Sequence, residues 1–407
     1  MRIRFLALAL PALASLAAAP PRDVTRDVNV FIGTGGHGHT YPGAAVPFGM
    51  VQLSPDTYNE GWDWCSGYHV SDASIMGFSH THLSGTGVGD MLDVLVMPGT
   101  GPVRLTPGDR DKPGSGYRSR FLHQNEKAEP GYYSVLLDDY QVKAELSATE
   151  RAGIHRYTFP KSDSSHVIVD LAHAILSKPG APPRILSAEM RVVGSDTLVG
   201  GRRVDNWAKG RHIYFALKFS KPFAAAKLYS NDQPVESGAS QGKYLKAVAE
   251  FKTTAGEVIL VKVGLSGVSP EGALNNLAKE IPGWDFDAVR KSAHAAWARE
   301  LGRIRIETSD AKNRQIFHTA LYHTMLAPTL YDDVDGQYRA ADLSVKHLPA
   351  GAHNYSTYSL WDTYRALHPL FTLIEKQRVP VLLDAAWVTK ARTARPSGRF
   401  RGARLAA

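Results

Sequence analysis

The sequence predicts a β-rich domain at residues 23–269 followed by an α-helical domain at residues 270–390. A chain of 407 residues exceeds the size at which one hydrophobic core usually suffices. Apolar and polar residues alternate through much of the first part, whereas helical spacing and capping residues dominate the second. Because the two patterns are segregated along the chain, they predict separate β and α domains and not alternating βαβ units.

The β-rich part contains two kinds of strand pattern. Apolar and polar residues alternate at residues 142–148 and 213–219, which places one face of each strand in a core and the other in water. Nearly continuous apolar runs at residues 167–171 and 258–263 are typical of strands buried on both faces. Turn-forming residues separate these runs, and many short strands with this spacing predict a β-sandwich.

The helical part begins each of two predicted helices with an aspartate. Asp285 and Asp310 are of the residue type that caps helix N-termini. The apolar residues at helical spacing are Val289, Ala293, Ala296 and Trp297 after the first cap, and Phe317, Leu321 and Met325 after the second. Residues 360–374 predict a third helix interrupted at Pro369, and Pro380 suits the first turn of a fourth.

Both ends of the chain differ from its middle. Residues 1–19 place Arg2 and Arg4 ahead of an apolar run too short to span a bilayer, which predicts a signal peptide and a secreted or periplasmic protein. No later apolar stretch reaches transmembrane length, so we expect no membrane span. Residues 391–407 are rich in arginine and predict a disordered basic tail, either a frameshift product or a genuine tail. Cys65 is the only cysteine, so no disulfide can form within the chain.

The charge of the protein gives no indication of an anionic partner. The net charge is +8, but five arginines of the tail supply five of these charges. The rest of the chain is only mildly basic, and no aromatic residues interleave with a basic stripe. We therefore expect no nucleic-acid partner.

Glycine-rich and aromatic segments of the β-rich part are candidates for ligand binding. His37 and His39 lie in a glycine-rich loop without the Gly-Lys-Ser/Thr of a phosphate loop, and hydrogen bonding to backbone or sugar is favoured over a metal site. Trp62 and Trp64 lie in a turn-rich segment, where an exposed indole can pack against the C–H face of a sugar. The alternative is that both indoles pack in the core. We predict that one of the two binds sugar.

A second pair of alternate histidines, His80 and His82, is followed by Asp90 and Asp93. The pair predicts a polar wall of a sugar pocket. A buried histidine network that holds a loop, or a metal site, are the alternatives.

Two further segments join a tryptophan to a polar residue. Asn206 and Trp207 belong either to the lip of a sugar pocket or to a turn at the sandwich edge. Trp361 and Asp362 begin the predicted third helix, where an aspartate is electrostatically favourable. Arg365 lies one turn later and is placed to pair with Asp362.

Two segments carry a resemblance to a known family. They are FIGTGGHGHTYPGAAVPFGMVQLSPD at residues 31–56 and GWDWCSGYHVSDASIMGFSHTHLSGTGVGD at residues 61–90. Both resemble glycoside hydrolase family 92, the calcium-dependent exo-α-mannosidases. The resemblance runs over residues 27–378 and implies a β-sandwich followed by the first helices of an (α/α)6 barrel. It implies removal of α-1,2-linked mannose from N-glycans or mannan with inversion, and a calcium ion that binds the sugar's O2 and O3.

The resemblance also implies which residues bind mannose-containing glycans. It favours a tryptophan of residues 61–90, together with Trp361 and Asp362, at the mannose site. The predicted substrate-binding set is Trp62, Trp64, His80, His82, Asn206, Trp207, Trp361 and Asp362, and no metal ligand is assigned.

The sequence lacks the two catalytic motifs of the family. The catalytic acid of the family lies in a Trp-Gly-Asn-Glu-Thr type of motif and the base in a later Gly-Asp-rich motif, and neither occurs here. We therefore predict an inactive fragment, with a barrel cut after about its third helix. A non-catalytic carbohydrate-binding β-sandwich protein is the alternative. We also expect the apolar face of Phe317, Leu321 and Met325 to lack packing partners in a shortened barrel.

Overall fold

The computed structural model of the protein describes residues 22–176, 178 and 180–385. The signal peptide predicted at residues 1–19 and the tail predicted at residues 391–407 lie outside the described residues. No helix within the described part of the chain is long and apolar enough to cross a membrane.

The first part of the chain forms strands and three short 3-10 turns. The strands are β1 (Ala44–Ala45), β2 (Gln52–Asp56), β3 (Ser74–Ile75), β4 (Gly77–Ser79), β5 (Leu95–Gly99), β6 (Ser119–Arg120), β7 (Lys127–Glu129), β8 (Tyr132–Leu137), β9 (Val142–Ala148), β10 (Ala152–Phe159), β11 (Ser162–Asp170), β12 (Ile185–Val193), β13 (Thr197–Val204), β14 (Arg211–Phe219), β15 (Ala225–Ser230), β16 (Gln233–Val235), β17 (Ala239–Gly242), β18 (Leu245–Thr253) and β19 (Glu257–Ser266). The 3-10 turns are Val24–Asp27, Trp62–Trp64 and His123–Asn125.

These strands pair into two large antiparallel sheets that pack face to face. The first sheet has eight strands in the order β1-β2-β4-β5-β11-β18-β15-β16, and the second has nine in the order β17-β12-β13-β14-β19-β10-β9-β8-β7. The short strands β3 and β6 pair with each other outside the two sheets. Residues that alternate along β14 show how the core forms, since Ile213, Phe215 and Leu217 are buried in it.

The second part of the chain is mostly helical. The helices are α1 (Pro270–Glu280), α2 (Phe286–Leu301), α3 (Ala311–Thr324), α4 (Leu360–Thr363) and α5 (Leu367–Ile374). Ser269, Asp285 and Asp310 cap the first three through their side chains, each accepting a hydrogen bond from a backbone N–H of the first turn. The predicted order of a β-sandwich followed by helices is confirmed.

The helices pack on the sandwich and share its core. Ala273 and Leu277 of α1 cover Val199 and Ala216 on the outer face of the nine-stranded sheet. From α2, the buried indole of Trp297 donates a hydrogen bond of 2.6 Å to the carbonyl of Ala45. The two parts of the chain are therefore joined by continuous packing and not by a flexible linker.

The helical part differs from the sequence analysis at three points. Four short strands, β20 (Thr329–Leu330), β21 (Gln337–Arg339), β22 (Val345–His347) and β23 (Tyr355–Ser356), form two small sheets between α3 and α4. The predicted third helix is interrupted before Pro369, which lies in the first turn of α5, where a proline is tolerated. Leu321 and Met325 do not lack partners, because both are buried in the main core, and Phe317 packs against it.

Candidate functional site

Three loops meet at one end of the sandwich. They are residues 33–40, residues 61–69 and residues 83–90. The N–H of Gly85 donates to the carbonyl of His39 at 2.8 Å, which joins the first loop to the third. The indole N–H of Trp62 donates to the carbonyl of Gly87 at 3.0 Å and joins the second loop to the third. Hydrogen bonds therefore hold the three loops together as one surface.

The two tryptophans of the second loop point in different directions. Trp62 is 54% exposed, and its ring lies edge-on to His39 with centroids 4.3 Å apart. Trp64 is half-buried, and its indole N–H donates to Asp72 at 2.7 Å. The turn Trp62–Trp64 thus presents one indole to solvent and turns the other towards the protein. Trp62 is the tryptophan of this segment that is free to stack on a ligand.

A carboxylate and two imidazoles surround the exposed Trp62. Nδ1 of His37 lies 2.5 Å from Oδ1 of Asp63, and Nε2 of His39 lies 3.9 Å from the same oxygen. The hydrogen bond from His37 lowers the pKa of Asp63. Burial lowers the pKa of His39, which favours the neutral ring. An aromatic face beside a carboxylate and a neutral imidazole offers both packing and hydrogen bonds to a polyhydroxyl ligand.

Asn206 and Trp207 lie against the third of these loops. The side-chain amide of Asn206 donates to the carbonyl of Gly89 at 2.9 Å, and the N–H of Ala208 donates to Asp90 at 2.8 Å. Trp207 is 41% exposed. Trp62 and Asn206 therefore contact the same loop, Trp62 at Gly87 and Asn206 at Gly89. The structure brings these predicted residues close to one loop.

His80 and His82 are not at this surface, and their prediction as a polar wall of a sugar pocket is wrong for this structure. Both are buried, with 0% and 2% exposure. His82 lies 2.7 Å from Asp56, and Nε2 of His80 lies 3.0 Å from Nε2 of His155. Because neither ring has surface to offer, neither can contact a sugar, and the alternative of a buried histidine network describes them.

The network extends to residues that the sequence did not indicate. Oδ2 of Asp56 is 2.9 Å from Nε2 of His173, so this fully buried carboxylate lies between two imidazoles. Burial alone would raise the pKa of Asp56, but His82 and His173 hold it below its usual value. The partners are far apart in the sequence, and only strand pairing brings them together.

Asp90 and Asp93 also have structural partners. Asp93 is buried between Arg202 and Arg211, at 2.7 Å and 2.6 Å. Burial alone would raise its pKa, but the two guanidinium groups hold it well below its usual range. Arg211 also lies 3.6 Å from Asp90. These carboxylates fix the base of the third loop and are not free to bind a ligand.

Trp361 and Asp362 are exposed on α4. Trp361 is 82% exposed, and Asp362 accepts a hydrogen bond of 2.5 Å from Ser359. Arg365 does not pair with Asp362, because its Nε donates to the hydroxyl of Tyr364 instead. Among the described residues, no hydrogen bond or ring contact joins Trp361 or Asp362 to the surface around Trp62.

The described residues do not assemble a cation site. Calcium prefers about six to eight oxygen ligands. Within the ranges that the structure describes, no group of three or more His, Cys, Asp or Glu side chains could hold a metal ion. The buried carboxylates on the sandwich side, Asp56 and Asp93, already have imidazole or guanidinium partners. The described residues therefore hold no metal site built on three or more side chains of these types.

Comparison with known proteins identifies the family. Residues 27–266 match the glycosyl hydrolase family 92 N-terminal domain, and residues 272–399 match the glycosyl hydrolase family 92 catalytic domain. The chain therefore belongs to glycosyl hydrolase family 92. This confirms the family and the fold that the two sequence segments predicted, a β-sandwich followed by helices of the barrel domain.

Individual relatives agree with this assignment. The chain is similar to the family 92 α-mannosidase BT3965 from Bacteroides thetaiotaomicron, with 39% identity and a TM-score of 0.87 over 92% of this chain and 50% of that one. BT3965 has also been solved in complex with mannoimidazole. A protein of Arthroderma benhamiae named as an uncharacterized secreted glycosidase is 28% identical over 86% of this chain and 46% of its own length. The chain spans about half the length of these relatives.

Proposed function

We propose that these residues carry the mannose-binding surface of an exo-acting α-mannosidase, which removes α-1,2-linked mannose from N-glycans or mannan. The observation that carries this proposal is Trp62, an indole exposed between two histidines and a carboxylate in a chain of family 92. The 39% identity to an α-mannosidase that has been solved with mannoimidazole supports the choice of mannose over other sugars.

Each group at this surface has a definite role in the proposal. The ring of Trp62 packs against the C–H face of the terminal mannose. Asp63 is ionised at neutral pH, since the hydrogen bond from His37 lowers its pKa, and it accepts hydrogen bonds from sugar hydroxyls. His39 is buried, with its carbonyl held by the N–H of Gly85, and its ring packs edge-on against the indole and supports the position of Trp62. Trp207 and Asn206 form a more distant lip.

The helical part supplies a second set of contacts in the proposal. Trp361 has most of its surface free, and the carboxylate of Asp362 lies beside it on α4. We infer that these two residues bind the sugar from the barrel side. Among the described residues, no hydrogen bond or ring contact joins them to Trp62.

The proposal separates binding from hydrolysis. Inversion requires a carboxylic acid that protonates the leaving oxygen and a carboxylate that activates water, roughly 6.5–9.5 Å apart. The motifs that hold both groups in the family do not occur in this sequence. We propose that the 407 residues by themselves bind α-mannosides without hydrolysing them.

Calcium and export complete the proposed function. We propose calcium as the cofactor of the hydrolytic activity. When bound, a calcium ion would supply a hard cationic centre for oxygen atoms of the substrate. We propose a secreted or periplasmic location, which the predicted signal peptide and the secreted relative support.

A titration tests the binding proposal. Calorimetry with methyl α-mannoside should give saturable binding to the protein, and Trp62→Ala should weaken it about tenfold or more, since one stacked aromatic contact is lost. Trp284→Ala is the matched control, because Trp284 is also an exposed tryptophan, at 37%. Its ring packs against Lys262 and does not belong to the Trp62 surface. Equal affinity in the Trp62→Ala protein and the unmodified protein would contradict the proposal.

A second assay tests the absence of hydrolysis. No mannose should be released from α-1,2-mannobiose, with or without added calcium, because general acid and base each contribute about 10²–10⁴-fold. Calcium-dependent release above the background rate would show that other carboxylates of this chain perform the reaction. A non-catalytic carbohydrate-binding protein is the second candidate function. Calorimetry with methyl α-glucoside beside methyl α-mannoside distinguishes it, because this function predicts equal affinity for the two glycosides.

A further inference from the structure

The outer face of the nine-stranded sheet carries a groove beside the first helix. Two adjoining cavities of about 660 and 300 Å³ share Glu189 and Gln241 in their walls. The larger cavity ends at the N-terminus of α1, where Arg191 donates to Glu271 at 2.8 Å. The smaller cavity continues towards Arg203. The volumes are in the range of small-molecule sites, about 300–1,000 Å³.

Strand register shows which residues form the floor of this groove. Gln241 pairs with Glu189, Glu189 with Gly201, and Gly201 with Tyr214, so the four lie in one row across β17, β12, β13 and β14. Directly paired residues of an antiparallel sheet share a face. The neighbours of Tyr214 along β14 are buried in the core, so this row faces outward. Helix α1 covers the adjacent row of Val199 and Ala216 and leaves this one open.

Tyr214 lies flat on the sheet because its neighbour is a glycine. A Cβ at position 201 would lie 2.4 Å from Cδ1 and 3.0 Å from Cε1 of Tyr214, so the ring occupies the space of the missing side chain. His212 is almost parallel to it, with an interplanar angle of 22° and centroids 6.1 Å apart. Together the two rings form an aromatic floor. This arrangement requires a glycine at position 201, since any side chain would lift the ring.

Several polar side chains around this floor lack a partner among the described residues. Within the part of the chain that the structure describes, the side chains of Glu189, Gln241 and Arg203 make no hydrogen bond or ion pair. Nε of Arg203 is buried without a partner. Burial, followed by the charges of Arg339 and Arg203, lowers the pKa of His212 and favours its neutral form. Unpaired polar groups beside an aromatic floor are poised to hydrogen-bond a ligand.

The charge balance of the groove decides the class of ligand. Glu189 and Arg203 are the carboxylate and the guanidinium of the groove that lack partners among the described residues. Arg339, whose charge also acts on His212, donates to the backbone carbonyls of Gly267, Val268 and Leu343. The ion pair of Arg191 with Glu271 closes one end. An anionic ligand would meet Glu189, and a cationic one would meet Arg203. A neutral ligand with many hydroxyl groups can use the aromatic faces, the donors and the acceptors together.

We propose that this groove is a second carbohydrate-binding site, which holds a neutral oligosaccharide chain on the aromatic floor of Tyr214 and His212. The strands that form it continue into the loop that bears Asn206 and Trp207, which rests on Gly89 beside the Trp62 surface. The site does not depend on the function proposed for Trp62.

The test measures the two sites separately. In the Trp62→Ala protein, calorimetry with a linear α-mannopentaose should still show binding. Adding Tyr214→Ala, or separately Gln241→Ala, should weaken that binding about tenfold, as expected for one lost aromatic or hydrogen-bonding contact. Tyr338→Ala is the control, because Tyr338 is a half-buried tyrosine outside the groove. Thermal melts identify any variant that fails to fold. If one of the two groove variants fails to fold, the other provides the test.

The outcomes are distinguishable from those for the proposed function. The second site is supported if the Trp62→Ala protein still binds the pentaose and if adding either groove substitution weakens that binding. Adding Tyr338→Ala should leave the binding unchanged. Loss of all pentaose binding on Trp62→Ala alone overturns it, as does binding that neither groove variant changes. The proposed function fails on a different observation, since it requires Trp62→Ala to weaken binding of methyl α-mannoside. Cellopentaose, used in parallel, shows whether the groove selects α-mannose chains or accepts neutral oligosaccharides in general. If neither α-mannopentaose nor cellopentaose binds, the proposal is overturned.

Discussion

The buried pair of His80 and His155 predicts that the sandwich loses stability in acid. Nδ1 of His80 lies 2.7 Å from the carbonyl of Val94, so this nitrogen carries the proton and Nε2 is left as an acceptor. Nε2 of His155 then donates across the 3.0 Å contact, and the hydroxyl of Tyr157 donates to its Nδ1 at 2.8 Å. Every ring nitrogen is satisfied only while both rings are neutral.

The magnitude follows from the pKa of His80. Burial lowers this pKa from 6.5 to about 4 in the folded protein. Between these values the unfolded chain binds a proton that the folded protein does not, so the free energy of unfolding rises with pH. The stability is complete above pH 6.5 and is lost as the pH falls through 4. A shift of this size corresponds to about 3 kcal/mol. The pKa of His155 is lowered in the same direction, first by burial and then by His80.

Urea unfolding between pH 7 and pH 4 measures this contribution. His80→Gln and His155→Gln should each show a smaller loss of unfolding free energy over this range than the unmodified protein, because a titrating ring has been replaced by an amide. The exposed His347→Gln serves as the control and should keep the full loss. The reasoning is refuted if either buried-pair variant retains the same pH dependence as the unmodified protein while remaining folded at pH 7.

Three further changes have defined outcomes. Gly87→Ala should weaken methyl α-mannoside binding at nearly constant Tm, because its Cβ would lie 2.8 Å from Nε1 of Trp62 and displace the indole; unchanged affinity would show that the position of the ring does not matter. Arg202→Met should lower the free energy of unfolding by about 3 kcal/mol, since it leaves the buried Asp93 with one fewer cation, whereas Arg191→Met on the surface should cost less than about 1 kcal/mol. Equal costs in urea unfolding would count against that account. Asp310→Ala should cost about 1 kcal/mol, because the side chain accepts from the N–H groups of Lys312 and Asn313 at the start of α3, and an unaltered melting curve would show that the cap is dispensable.

Local patterns in the sequence were sufficient for the strands and caps. Residues 142–148 form β9, and residues 213–219 lie in β14, because alternation reports directly on which face is buried. Asp285 and Asp310 cap helices as predicted, since capping depends on residues within one turn. The two small sheets between α3 and α4 were not predicted, because strands of two or three residues are too short to show a period.

The candidate site was predictable only in part. An exposed Trp62 beside a half-buried Trp64 fits the expectation that one indole of the pair faces outward. The burial of His80 was not predictable, because its partner His155 is 75 residues away and pairing of distant strands decides the contact. For the same reason the stacking of Tyr214 on Gly201 has no local signature, since cross-strand register alone places the ring over the glycine.

The most direct test of the central claim is a crystal structure of this protein with mannoimidazole. We expect the sugar ring to stack on the exposed face of the Trp62 indole, with carbon atoms of the two rings within about 4 Å of each other, as in other apolar contacts. We also expect hydrogen bonds from the sugar hydroxyls to Asp63. Density for the ligand at another part of the protein, with the Trp62 surface empty at saturating concentration, would contradict the claim that this surface binds mannose.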